Sequence, residues 1–479
     1  MKTYYKFWIL CLALVLGTGC KKGLDIAPAS ELSDSFLLTK KGATALLNGV
    51  YADGQFIADA GVNRIYVEEA VTDVLVNYRG ALNIDVLPFQ SFNWLPTAPF
   101  LSQFYSKNYT TIRDANILLS NIPNNPELSA DEKKLMTAEA RFLRGLAYYY
   151  LYGWFGPVPM ITKPFTSATD DFNVPKAEET ELLNFIESEL IASANDLPGT
   201  IITTGKATKG AALGVLTKFY LQTKNWQKAT ATAKQVMDMN IYKLQTDYVA
   251  LFDRANKGNP EMIFVYPALN KIGFGNVWTA NALPPQYPTT VFNTATQVCM
   301  PLAFYKTFAA ADKRRNLILT SYTSTTGALI DLTTGVEYQN PRSLKYPTDP
   351  AADERHHGND FPLIRYADIL LSRAEALVQE GAVTQEAVDL LNMVHTRAGL
   401  TAFTLTDLPD KNTFITALVK ERGWEFYSEG KRREDLLRNG LFLKNATDRG
   451  LPAKDFQVRF PFPQSEVDAN KKLVQNTGY

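Results

Sequence analysis

Cysteine is scarce in this chain. Three occur in 479 residues, and two of them, Cys11 and Cys20, stand close to the N-terminus. Cys299 is alone in the body of the chain, so no internal disulfide can staple it, and stability has to come from a packed core. Net charge is lacking as well, with 49 Lys plus Arg against 49 Asp plus Glu. That balance removes a bulk electrostatic attraction for nucleic acid or an anionic membrane surface, and it implies a ligand that is largely uncharged or recognised locally. Histidine is almost absent, at three residues. His356 and His357 are adjacent in an extended loop, where neighbours point apart, and His395 falls in a helical stretch, so no metal site is expected. Catalytic motifs are missing too. Gly199 to Ala207 looks like a phosphate loop, but five residues separate its glycines instead of four. Ala207 also follows Lys206 where a Ser or Thr hydroxyl would hold magnesium. Neither G-x-S-x-G nor H-E-x-x-H occurs, and no cofactor is implied.

The N-terminus does carry a signal. Lys2 and Lys6 flank the start of an apolar run, Phe7 to Leu16, of about ten residues, too short for a helix to cross bilayer hydrocarbon. Gly17-Thr18-Gly19 and then Cys20 follow. The small residues let a peptidase approach the backbone, and the thiol can be acylated before cleavage, an arrangement that resembles a bacterial lipobox with Gly17 three positions ahead of the Cys. Residues 1–19 are therefore expected to be a lipoprotein signal peptide, with Cys20 carrying the lipid. The roughly 460 residues that remain can build one large core or two fused ones.

Most of the body reads as helix. Ser129, followed by Asp131 and Glu132, suits a helix N-terminus, and Leu135, Ala138, Phe142, Leu146 and Tyr149 recur at three- and four-residue spacing until Gly153 and Gly156-Pro157. A second stretch starts near Lys206, breaks at Lys224-Asn225, resumes at Trp226 and ends before Asn240, which makes a hairpin close to the length of a tetratricopeptide unit. The pattern returns from Tyr366 to Gln379 and from Thr384 to Ala398, turning at Glu380-Gly381. Phe414 to Tyr427 and Ala115 to Leu119 add further helix, and a short helix is expected from Glu68 to Val76. The fold class expected is mostly α, a tetratricopeptide-like helical hairpin scaffold at about 110–240 and 361–440. Periodicity fails at about 64–100 and 241–360, where Gly, Pro, Asn and aromatic residues crowd together. Loops of that kind on a rigid scaffold are where binding residues concentrate.

Several blocks together resemble the SusD/RagB family. They begin with Cys20 to Pro28, then Ala138-Glu139-Ala140-Arg141-Phe142-Leu143-Arg144-Gly145-Leu146-Ala147-Tyr148-Tyr149 running into Tyr152-Gly153-Trp154-Phe155-Gly156-Pro157-Val158-Pro159. Arg365 to Ala376, Leu391 to Leu400, Glu421-Arg422 with Trp424-Glu425-Phe426, Glu429 to Arg432 and the ending Gln475 to Tyr479 continue the match in order. The resemblance implies a single SusD-like domain over 20–479 and no catalytic residues. It also implies a cell-surface lipoprotein of the outer membrane that captures oligosaccharide or another small nutrient ligand for a SusC-type TonB-dependent porter. An envelope glycan-cleaving enzyme and a helical-repeat assembly scaffold are the alternatives. The charged residues Glu139, Arg141, Arg144, Glu421, Arg422, Glu425 and Arg432 lie among large apolar residues, where an ion persists only if paired, so they are expected to fix helix packing. A sugar offers C–H faces to aromatic rings and hydroxyls to polar side chains. The candidate binding residues are accordingly Trp94, beside Phe92 and Asn93, with Trp278 and Tyr287, beside Asn276, Asn281 and Gln286. Asp73 and Arg79 are the polar candidates. Each tryptophan could instead plug a gap between helices.

Overall fold

The computed structural model describes residues 34–54, 59–167, 169–200, 203–291 and 298–479, apart from the side chains of 34 and 59–62. The signal segment and Cys20 lie outside the described residues. Helices α1 (Lys40–Gly54), α2 (Asp59–Ala70), α3 (Ala81–Gln90), α4 (Pro99–Asn121), α5 (Ala130–Phe155), α6 (Glu179–Asp196), α7 (Lys209–Gln222) and α8 (Trp226–Asp238) make up the first half. Helix α5 begins where Ser129 accepts from the Glu132 backbone and Glu132 reaches back to the Ser129 N–H, and it stops at Gly156, whose φ of 74° suits a residue without Cβ. Helix α7 starts from a Thr208 cap, three residues later than the spacing suggested, and α8 from an Asn225 cap. A long insertion that carries α9 (Trp278–Ala282) follows, and after it come α10 (Tyr366–Glu380), α11 (Gln385–Arg397), α12 (Lys411–Phe426) and α13 (Arg432–Arg438).

Packing runs as a stack. Helix α1 lies on α4, α4 on α5, α5 on α6, α6 on α7, α7 on α8, α8 on α10 and α10 on α11. The step from α8 to α10 spans the insertion, which closes at its base through antiparallel pairing of β2 (Met262–Tyr266) with β8 (Phe361–Arg365). The scaffold therefore continues across roughly 125 residues of irregular chain without a gap.

Ion pairs lock that junction. Arg365, fully buried at the end of β8, reaches Glu261 at 2.5 Å, Glu425 at 2.9 Å and Glu429 at 2.7 Å. Arg314 joins Asp312 and Glu421, Arg397 joins Glu261 and Glu425, and Lys345 joins Glu429. Burial alone would raise the Glu425 carboxyl, and the guanidiniums of Arg397, Arg365 and Arg314 instead hold it at about 2. Glu261, Arg314 and Lys345 belong to the insertion, whereas Arg365, Glu425 and Glu429 belong to the returning scaffold. The charges singled out in the sequence are paired in the same way: Arg141 and Arg144 on Glu189, Arg422 on Asp368 and Asp435, Arg432 on Asp73.

Two expectations are corrected. The helix placed at Glu68 to Val76 is the end of α2, which stops at Ala70 before a turn into β1 (Val76–Asn77). The stretch at about 64–100, expected to be loop-rich, contains α3 and the start of the 23-residue α4. Helix α3 escaped notice because it buries Val86 and Phe89 but leaves Ile84 and Leu87 exposed, and it holds Pro88. Its apolar residues therefore lack a clean helical period.

Candidate functional site

A cavity of about 630 Å³ opens between α2, α3, α4 and α9. The helical spacing on α4 puts Gln103, Ser106 and Lys107 along one side, while α2 supplies Asn63 and Tyr66, and α3 supplies Leu82 and Asp85. Asn281 enters from α9 and Arg355 from the loop behind it. Asn63 Nδ2 donates to Gln103 Oε1 at 3.3 Å, and Asn281 Nδ2 donates to the Tyr66 hydroxyl at 2.7 Å. Lys107 pairs with Asp53 at 2.8 Å. Partial burial pushes the Asp85 carboxyl up from its ordinary value. Trp278 stacks on Tyr66, with ring centroids 5.2 Å apart, and so supports the cavity wall from within.

A second feature adjoins the cavity. Strand β1 pairs with β3 (Val298–Cys299), Val76 opposite Cys299 and Asn77 opposite Val298, which fixes the 76–80 segment against the insertion. Tyr78 follows that strand, 42% exposed, and its phenol bonds the Asn340 side chain. Tyr338, also 42% exposed, is two residues from Asn340, and after burial it is the neighbour that raises the Tyr322 phenol. Tyr322, on β5 (Ser321–Thr323), lies 5.6 Å from Tyr287 between ring centroids, and its hydroxyl donates to the Pro285 carbonyl at 2.7 Å. From Tyr78 to Ala81 on the cavity edge is at most about 11 Å of extended chain. A polar cavity and a surface bearing tyrosines thus meet along one segment.

Comparison with known proteins identifies the family of the chain. The profile of the SusD family matches residues 287–458, and a profile described as starch-binding associating with outer membrane matches residues 24–221. The chain belongs to the SusD/RagB family. It is 26% identical to SusD-like protein P2 of Formosa agariphila, covering 99% of both chains. It is likewise 26% identical to the starch-binding protein SusD of Bacteroides thetaiotaomicron over the full length of both. A solved laminarin binding SusD-like protein superposes with a TM-score of 0.78 at 25% identity, covering 92% of this chain and 100% of that one.

In this SusD-family chain the residues singled out from the sequence fall in different places. Trp94 and Trp278 are 2% and 1% exposed, so neither offers a ring face to a ligand, and both expectations are corrected. Phe92, beside Trp94, is buried too. Asp73 is a further correction: although burial pushes its carboxyl up, the Arg432 guanidinium, 2.8 and 2.9 Å from its two oxygens, brings it below the usual value and occupies it. Arg79 is exposed on the segment between β1 and α3, and Tyr287 is half-buried at the tyrosine surface. Asn281 reaches the cavity, whereas Asn276 is spent on capping, its Oδ1 accepting from the Trp278 N–H at 2.9 Å. The sequence reading missed Asn63, Gln103 and Asp85, polar residues that look like an ordinary solvated helix face, and it missed Tyr78, Tyr322 and Tyr338. The signal for Tyr78 was its position beside Arg79.

Proposed function

We propose that this protein is a nutrient-binding lipoprotein of the outer membrane. It captures an oligosaccharide at the cavity and tyrosine surface and delivers it to a SusC-type TonB-dependent porter. The observation that carries the reading is the composition of that one open site. Amide, hydroxyl and carboxylate groups on Asn63, Gln103, Asn281, Ser106 and Asp85 can exchange hydrogen bonds with sugar hydroxyls, and half-exposed phenol rings stand alongside to take C–H faces. The volume falls in the range of roughly 300–1,000 Å³ typical of ligand pockets. Relatives named for starch and laminarin binding support an uncharged glucan as ligand.

Binding without catalysis fits the lining. Glycoside hydrolysis ordinarily needs two carboxyl groups about 5–9.5 Å apart. Among the described lining residues Asp85 is the one carboxylate.

Calorimetric titration with malto- and laminari-oligosaccharides tests the site. Tyr78→Ala combined with Gln103→Ala should weaken binding by roughly 1–3 kcal/mol. Unchanged affinity would remove these residues from the site, and a screen in which the unmodified protein binds no glycan would overturn the reading. For the anchor, Cys20→Ser should abolish acyl labelling and move the protein to the soluble fraction, since acyl chains hold it at the bilayer. Pull-down of the tagged protein in mild detergent should recover a TonB-dependent barrel, and recovery of the lipoprotein alone counts against the porter.

A further inference from the structure

The connection from α5 to α6 displays two phenylalanines to solvent. Phe165 is 40% exposed and Phe172 54%, with ring centroids 4.7 Å apart and planes tilted by 50°. Loops with exposed aromatics commonly fold down on the body to bury them. This one is held in place. The Tyr148 hydroxyl and Asn116 Nδ2 both donate to the Ile161 carbonyl, at 2.9 Å each, and the Tyr109 hydroxyl donates to the Pro159 carbonyl at 2.7 Å. From the C-terminal segment, Asn470 Nδ2 donates to the Val174 carbonyl at 2.7 Å and Lys472 pairs with Asp171 at 2.7 Å.

Beside the rings lies an open hollow of about 410 Å³, lined by Thr162, Lys163, Phe165, Thr166 and Asp170 among others. It shares no lining residue with the cavity between α2, α3 and α4. Asp170 Oδ2 accepts from the backbone N–H groups of Thr166 and Ser167, at 2.7 and 3.0 Å, which orients the carboxylate. That leaves Oδ1 as an acceptor for a ligand hydroxyl.

We propose that this hollow is a second oligosaccharide site, in which a sugar ring lies on the Phe165–Phe172 pair and a hydroxyl bonds Asp170. Aromatic rings fixed at the surface beside threonine hydroxyls and an oriented carboxylate supply both handles that an uncharged sugar offers. The inference rests on the glycan-binding reading above and adds a consequence to it. A polymer long enough to touch both sites gains avidity that a short oligosaccharide cannot.

The experiment compares four forms of the full chain: unmodified, Phe165→Ala with Phe172→Ala, Tyr78→Ala with Tyr338→Ala, and all four substitutions together. Each is run in native gels containing laminarin or amylopectin and titrated with the corresponding hexasaccharides. The double Phe variant should melt within about 2 °C of the unmodified protein, because both residues lie at the surface, about half exposed, outside the packed core. Its polymer affinity should fall at least five-fold while hexasaccharide affinity at the main site changes less than two-fold. The Tyr variant should keep a residual retardation that the four-substitution form loses. Unchanged polymer affinity in the Phe variant, with a loss in the Tyr variant, overturns the second site and leaves the main reading standing. An unmodified protein that neither polymer retards overturns both.

Discussion

An indole serves a sugar only when one of its faces is open, and the same ring covered on both faces is a core plug. Trp278 stacks on Tyr66 and meets Tyr346 at 6.4 Å between centroids, while its Nε1 points to the Ser343 carbonyl at 3.4 Å. Trp94 is enclosed by Phe89, Phe92 and Phe460, and its Nε1 donates to the Tyr479 hydroxyl at 2.8 Å. Trp94→Ala and Trp278→Ala should each lower unfolding free energy by roughly 3–5 kcal/mol in a denaturant titration, the cost of emptying a packed aromatic site. Tyr78→Ala should stay within about 0.5 kcal/mol of the unmodified protein. Trp278→Ala should also weaken glycan binding, because Tyr66 loses its support at the cavity wall. Equal stability of the Trp278 and Tyr78 variants would contradict this division of roles.

Helices in the stack approach as closely as their smallest residues allow. A Cβ built on Gly145, in the middle of α5, would stand 3.2 Å from the Cβ of Glu189 and 3.2 Å from the Leu190 side chain on α6. Glu189 is held at that crossing by Arg141 and Arg144, so it cannot easily swing away. Gly145→Leu should therefore push α5 and α6 apart and cost about 1–3 kcal/mol or more, read as a lower thermal midpoint. Gly49→Leu on α1, where nothing lies within 4 Å of the added atom, is the control and should be tolerated up to helix propensity effects. The same element scale explains the insertion. Its strands are two to five residues long, and some pair across large sequence separations, β3 with β1 outside the insertion and β2 with β8. Such pairings leave little local period to read.

Taken whole, the molecule places ionisable groups where folding changes their affinity for protons. His357 is buried at the join of two insertion loops, its Nδ1 accepting from the Asp349 N–H at 3.0 Å, and burial lowers its pKa to about 4. An unfolded histidine titrates near 6.5. Between those values the unfolded chain binds more protons than the folded one, so stability falls as pH drops through that window. Glu425, at about 2, adds a loss that starts near 4.5 and continues below it. Buried Glu69, raised to about 8, works in the opposite sense over the same range, so the His357 contribution is read by difference: His357→Gln should lose less thermal stability than the unmodified protein between about pH 6.5 and 4.5. An unaltered profile in that variant would mean another group sets it. The amino-acid order alone determined the helices with a clean period and a cap, such as Ala130–Phe155 after Ser129, because those signals lie within a few residues of each other. It also determined which charges had to be paired, since an ion among large apolar neighbours has no other stable state. Only the tertiary structure decided which rings and carboxylates remain open to a ligand. Trp94 is sealed by Tyr479, 385 positions away, and Asp73 is occupied by Arg432, 359 positions away. Exposure belongs to whatever packs on a side chain from the rest of the chain, and no local pattern encodes that.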